Sequence, residues 1–291
     1  MHQIARGIFY EDSYLGVTLG GLVFPHGTIM IDAPLRAEDS RSWRSALSNQ
    51  RGGANRLLVN LDAHLDRTLG DRALDSTVLA HQKTVQVFRN RPTIFKGQTM
   101  ESGATWETYN DAIGMRWAVP DIAFSQNMLL FWGGPEVVLE YHPGPAPGAM
   151  WVIVPEEKVV FVGDAVTVNQ PPFLANADLP VWVETLDLLI SEYSDYLIIS
   201  GRGGPAANEV IRAQYHFLQE VLDNLDRLAI GNALPEATEE FVPEMIRKLK
   251  IPPELRERYR QRLRYGLYQY YTRRYRSMNS IEQTEMEDEE R

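Results

Sequence analysis

The stretch Val59-Asn60-Leu61-Asp62-Ala63-His64-Leu65-Asp66-Arg67-Thr68-Leu69-Gly70-Asp71 decides the reading of the whole chain. Leu57, Leu58 and Val59 form a short apolar run of the kind that makes a buried strand. The run ends in a polar turn that carries Asp62, His64 and Asp66 at alternate positions, with Arg67 beside them, and Leu69-Gly70 leads into a helix. Side chains two apart at the end of a strand project to one side, so these three can share a cleft. Carboxylate oxygens and an imidazole nitrogen together suit a divalent metal. The plain alternative is a polar loop with one solvated histidine.

Composition frames that choice. The chain has 291 residues, 44% hydrophobic and 23% charged, which is ordinary globular composition with room for one large domain or two small ones. A net charge of −10 argues against a general nucleic-acid or anionic-membrane binder. Cysteine is absent, which excludes disulfides, thiolate metal sites and a cysteine nucleophile. Residues 1–14 lack the apolar core of a secretion signal, and no run reaches the ~18 apolar residues of a membrane span. The expected location is the cytoplasm.

Upstream of the central stretch, residues 4–10, 17–24 and 28–31 read as strands, with Pro25-His26-Gly27 as a turn. Residues 37–49 read as a helix with Trp43, Ala46 and Leu47 on one face, ended by Arg51-Gly52-Gly53. Downstream, residues 73–80 are expected to continue a helix, 84–88 to form a short strand, and 97–118 to be helical around Trp106 and Met115. Residues 122–124, 129–132 and 137–141 read as strands, with Gly133-Gly134-Pro135 as a hairpin turn, and strands at 150–154 and 159–162 follow. Residues 182–193, 206–230, 239–249 and 254–277 read as helices, with a strand at 196–199. The acidic end is expected to be disordered.

The central stretch resembles the first metal-binding motif of the metallo-β-lactamase superfamily, T-H-x-H-x-D-H followed by a glycine. Other stretches match in the same order. Ile29-Met30-Ile31-Asp32-Ala33-Pro34 resembles the strand that precedes the motif. His142-Pro143-Gly144-Pro145-Ala146-Pro147-Gly148 is similar to the family's PGHTPG turn. Residues 155–164 resemble the strand that delivers the bridging aspartate, here Asp164, and Ser200-Gly201-Arg202-Gly203 resembles the late G-H-G turn. The resemblance runs from about residue 29 to residue 205. It implies an α/β fold, a four-layer αβ/βα sandwich over residues 1–235, with a helical C-terminal extension over 236–277 and an acidic tail over 278–291.

Carried over position by position, the resemblance keeps His64, Asp66 and Asp164 as ligands. Asp62, Arg67, Pro145 and Arg202 stand where the family has ligand histidines. The positions matching Asp66, Arg67, Asp164 and Arg202 hold the family's second metal. Here two carboxylates would face two guanidiniums, which are always charged and pair bidentately with carboxylate. Fixed positive charge can replace the neutralising role of a dication, so that site is expected to be an ion-pair cluster, with Arg67 and Arg202 forked onto Asp66 and Asp164.

Three functions are open. The first is a member without the standard dinuclear centre, non-catalytic or otherwise atypical, whose old cleft binds a small anionic ligand or a partner through Arg67 and Arg202. The alternative is a single-metal hydrolase of an ester, thioester, lactone or phosphodiester. It would hold Zn, Mn or Fe on Asp62, His64 and Asp164, with His142 as a substitute ligand. Asp66 would be the general base, and Arg67 or Arg202 would bind the anion or oxyanion. A third class, an enzyme that uses His64 as acid–base without metal, rests on His64 alone. Asp32 is expected to brace the motif loop, His26 to sit in a turn and His81 at a helix end. In the last helix Leu255, Tyr259, Leu263, Leu267, Tyr271 and Tyr275 form an apolar stripe, with Arg256, Arg258, Arg260, Arg262, Arg264, Arg273, Arg274 and Arg276 on other faces. That stripe suits the chain's own core or a second subunit, so a homo-oligomer through it is expected, and nucleic acid is not.

Overall fold

The computed structural model describes residues 1–96 and 102–276. The first half of the chain builds a seven-stranded sheet of β1 (His2–Ala5), β2 (Ile8–Glu11), β3 (Leu19–Phe24), β4 (Gly27–Ile31), β5 (Asn55–Asn60), β6 (Thr77–His81) and β7 (Ile122–Phe124), neighbours in chain order. Pairing is antiparallel up to β4 and parallel from β4 to β7. The second half builds a six-stranded sheet of β8 (Asn127–Leu130), β9 (Val137–Tyr141), β10 (Met150–Val154), β11 (Val159–Thr167), β12 (Leu197–Arg202) and β13 (Pro205–Ala206), in which only β11 and β12 run parallel. The helices are α1 (Ala37–Ser48), α2 (Leu65–Thr68), α3 (Gln82–Asn90), α4 (Leu179–Glu192), α5 (Asn208–Ile230), α6 (Val242–Lys248) and α7 (Arg256–Tyr271).

Strand alternation sorts these elements into layers. Leu57 and Val59 of β5 face a core shared with Met150, Val152 and Val154 of β10, so the two sheets pack on each other. Leu58 points the other way, onto Trp43 and Leu47 of α1. Trp151 and Ile153 point away from the inter-sheet core, onto residues of α4, α5 and α7. The order is therefore helix, sheet, sheet, helices, the four-layer αβ/βα arrangement expected. Among the described residues no helix is long and apolar enough to cross a membrane.

Several local expectations are corrected. Residues 4–10 are not one strand, because Gly7, at φ +76°, turns β1 into β2 and a Cβ there would lie 2.5 Å from the Val23 carbonyl. Residues 73–80 do not continue a helix. A single 3-10 turn, Asp71–Leu74, ends at Asp75 with φ 52°, and the β-rich run that follows pairs with β5 in register Leu58↔Val78. Residues 84–88 are helical instead. His81 caps α3 by accepting the Lys83 N–H at Nδ1, and Thr84, Val85 and Phe88 bury one helical face. Residues 105–112 form two short 3-10 turns rather than a long helix, and residues 97–101 lie outside the described residues.

The C-terminal stripe is placed by the same logic. Tyr259, Leu263, Leu267 and Tyr271 of α7 are buried in the core that α4 and α5 form with the second sheet. The surface expected to form a subunit seam is thus spent inside the protomer. The expected acidic tail lies outside the described residues.

Candidate functional site

Four strand ends meet at one edge of the sandwich. Asp32 follows β4, Asp62 follows β5, Asp164 lies in β11 and Arg202 closes β12. These four belong to two parallel strand pairs, and carboxyl ends of parallel strands are where α/β folds open a crevice. His64 N-caps the single turn α2, accepting the Asp66 N–H at Nδ1 over 3.2 Å. That turn carries Asp66 and Arg67 inward, and neither is exposed at all.

The two arginines bind carboxylates from every side. Arg202 is forked onto Asp164, Nε to Oδ1 at 3.0 Å and Nη2 to Oδ2 at 3.1 Å. Its Nη1 donates to Asp66 Oδ2 at 2.7 Å and to the Gly16 carbonyl at 2.6 Å. Arg67 donates from Nη1 to Asp32 Oδ2 at 2.7 Å and from Nη2 to Asp164 Oδ1, and its Nε lies 3.2 Å from Asp62 Oδ1. Asp32 braces the loop as expected, accepting the Leu61 N–H at 2.9 Å. It does so from a left-handed backbone, φ 59°. Two glycines make room for Arg67. A Cβ on Gly201 would stand 2.4 Å from the Gly163 carbonyl carbon and 2.8 Å from Arg67 Nη2, and Gly163 itself sits at φ +57° where β11 breaks register.

Burial and charge fix the protonation states. Burial works to raise the Asp164 pKa, but Arg202 and Arg67 overcome it and hold the carboxyl well below its usual range. Asp66 is lowered in the same way, with Arg202 outweighing burial. Burial pushes Asp32 up to about 7 against the pull of Arg67, and it also raises Asp62. Both arginines stay charged, because the carboxylates outweigh burial. Burial, then Arg202, lower His64 to about 3, so its imidazole is neutral. Arg202 Nη2 lies 3.1 Å from His64 Nδ1, which also accepts the Asp66 N–H. Two donors on Nδ1 leave the ring proton on Nε2.

This donor set does not fit a metal. The structure brings Asp62, His64 and Asp164 together, but the carboxylates are turned onto guanidiniums. Among the described residues no group of three or more metal-ligating side chains is arranged to hold an ion. A dication there would sit beside two buried permanent cations. The other expected roles meet similar obstacles. Asp66 is sealed from the cleft, taking N–H groups from Thr105, Trp106 and Arg202, which leaves it no route to act as a general base. Arg67 and Arg202 are 0% and 1% exposed and committed within the cluster, so neither is open to an incoming anion. Arg67 also does not touch Asp66 as the sequence suggests; its carboxylates are Asp32, Asp62 and Asp164. His142 bonds Glu140 through Nε2 at 3.0 Å and stacks on Trp151 at 3.7 Å, away from the cluster.

Sequence reasoning missed Arg262, placing it on an outer arginine face. It is buried, donates to the carbonyls of Gly103 and Pro171, and lies 3.9 Å over the Phe173 ring, whose centre is 4.6 Å from the Arg202 guanidinium. Helical spacing held the signal, since Arg262 falls three residues after Tyr259 and four before Gly266, both buried. Above the cluster opens a cavity of about 520 Å³. Asp62, His64 and Asp164 lie along it, with Trp106, Phe173 and Pro145 among its apolar walls.

Comparison with known proteins agrees with this architecture. The sequence profile of the metallo-beta-lactamase superfamily matches residues 64–202. A search of curated protein sequences gives no match. Among solved structures, the fold is similar to a metallo-beta-lactamase family protein from Thermus thermophilus (17% identity, TM-score 0.64, 93% of this chain and 94% of that one). It is also similar to the stereoselective inverting sec-alkylsulfatase Pisa1 from Pseudomonas sp. (15%, 0.64, 94% of this chain), of which the match spans about half, 49%. A metallo-beta-lactamase from Pontibacter korlensis is similar over 75% of this chain and 97% of its own (17%, 0.57). The chain thus has the fold of the metallo-β-lactamase superfamily, and that superfamily's profile matches the stretch from His64 to Arg202 that carries the cluster.

Proposed function

We propose that this protein works without the dinuclear metal centre of its superfamily and binds a small ligand in the cleft above the Arg67–Arg202 cluster. The observation that carries this reading is the fork of Arg202 onto Asp164 while Arg67 holds Asp164, Asp62 and Asp32. A metal would have to strip guanidiniums from buried carboxylates, and breaking such a pair costs about 3–5 kcal/mol. The two bases that the motif offers for hydrolysis are both poorly placed for it. Asp66 is sealed, and a histidine lowered to about 3 is a weak acceptor at neutral pH. Binding is better supported. A cavity of about 520 Å³ with apolar walls and a few polar groups is in the ordinary range for small-molecule sites.

Metal analysis of the purified full chain, with thermal melting before and after chelation, tests the reading. Expected are substoichiometric metal and a melting temperature that neither chelator nor added zinc moves. About one equivalent of tightly bound metal, lost together with stability, would overturn it in favour of the single-metal hydrolase.

A further inference from the structure

The arginines that the motifs single out are spent, but two others line the same cavity. Arg91 follows α3, and Arg273 follows α7. The Arg91 guanidinium lies over the rings of Phe88 (4.8 Å) and Trp117 (4.7 Å), and its Nη2 donates to the Ala63 carbonyl. Its Nη1 is buried with no hydrogen-bond partner among the described residues. Arg273 donates from Nη2 to the Ala177 carbonyl and sits over Tyr270. Neither has an ion-pair partner among the described residues, in contrast to Arg67 and Arg202, which together contact Asp32, Asp62, Asp66 and Asp164. Asp62 and Asp71 act on Arg91 through space, but neither forms an ion pair with it: Asp62 is held by Arg67, and Asp71 accepts the Asn60 amide. The cavity thus carries two guanidiniums without an ion-pair partner among the described residues, both positioned by carbonyl bonds and aromatic faces, with the apolar surfaces of Trp106 and Phe173 along the same space.

We infer that the cleft takes an organic acid, its anionic group met by Arg91 and Arg273 and its aromatic or aliphatic body lodged against Trp106 and Phe173. Guanidinium is the donor suited to carboxylate, sulfonate and phosphate groups. Arg91, half-buried on the faces of Phe88 and Trp117, gives up little hydration when an anion arrives. His64 lines the same cavity, with its Nδ1 taken up by Arg202 and the Asp66 N–H. The C-terminal helices gain a role here, since Tyr265 and Arg273 belong to the cavity wall. This inference rests on the cleft-binding reading and narrows its ligand.

The test is calorimetric titration of the full chain with 2-naphthoate and with its neutral isostere 2-naphthamide. The acid should bind about tenfold tighter than the amide, the worth of one charge-assisted contact. Arg91→Gln and Arg273→Gln should each remove most of that preference, and added salt should weaken only the acid. Arg256→Gln, an exposed arginine of α7, is the charge-matched control and should leave the preference intact. If Arg91→Gln fails to fold, because it packs on Phe88 and Trp117, the exposed Arg273 carries the test alone. Equal affinity for acid and amide, or a preference unchanged in both variants, overturns the acid site while leaving a ligand-binding cleft. Absence of binding by both probes at millimolar concentration also overturns it. Metal content and the chelator-insensitive melt report separately on whether the metal-free reading stands.

Discussion

Arg202 touches Asp164, Asp66, His64 and the Gly16 carbonyl at once, so one substitution there disturbs the whole cluster. Arg202→His should destabilise the protein by about 3–5 kcal/mol, because it leaves two buried carboxylates short of a cation. The new histidine should not recruit a zinc pair, since Arg67 still holds Asp164 and Pro145 still stands at a ligand position. Denaturant melts and zinc titration of the variant check both halves; two tightly bound zinc ions would refute the argument. The gathering of Asp62, His64, Asp164, Arg67 and Arg202 was legible in the sequence, because motif order ties each of them to β5 and the turn after it, to β11 or to the end of β12. The partner choice was not. Arg67 reaches Asp32 across 35 positions of chain and Asp164 across 97, and only the sandwich brings those together. Arg91 and Arg273 carry no motif at all, and they became candidates only once a shared cavity was visible.

At the scale of elements, the cluster depends on how closely β11 and β12 approach. Gly163 and Gly201 let the strands meet with Arg67 against them, and any side chain at 201 collides with backbone as well as with the guanidinium. Gly201→Ala should therefore destabilise by roughly 2 kcal/mol or more, as overpacking does, and the cost should fall in an Arg67→Ala background where part of the clash is gone. A double-mutant cycle on thermal melts measures this, and strictly additive effects would count against it. Most strands and the long helices were readable from alternation and helical spacing. The exchange of helix and strand between residues 73 and 88 was not. The run at 77–81 is a strand because β5 and β7 flank it, and the run at 84–88 is a helix because His81 caps it and its apolar residues fall on one helical face. In both places tertiary pairing or a cap decided what a short apolar run could not.

At the scale of the whole molecule, the balance of buried acids sets how stability responds to pH. Asp71 is 1% exposed, lies outside the ion-pair cluster, and is raised well above the usual carboxylate range by burial. Its Oδ1 accepts the Asn60 amide at 3.3 Å, while its Oδ2 and Asn60 Oδ1 are both buried without a partner among the described residues. An acid whose folded pKa is raised stays protonated in the native state while the unfolded chain ionises. Its contribution is fully present below pH ~4 and is lost as pH rises toward the folded value, at about 1.4 kcal/mol per unit. Asp71→Asn removes that loss, because a carboxamide never ionises. It also offers an N–H that the orphaned Asn60 oxygen can accept. The variant should match the parent near pH 4 and exceed it increasingly toward pH 8, with an unchanged denaturant slope. His64 acts in the opposite sense. Its folded pKa is lowered to about 3, so its contribution is present above pH ~6.5 and is lost as pH falls. The two titrations can therefore be told apart by subtracting the Asp71→Asn curve from the parent curve, in which the His64 contribution cancels. A difference that shrinks as pH rises, or a variant less stable than the parent at pH 8, would show that Asp71 is ionised and paired in the native protein.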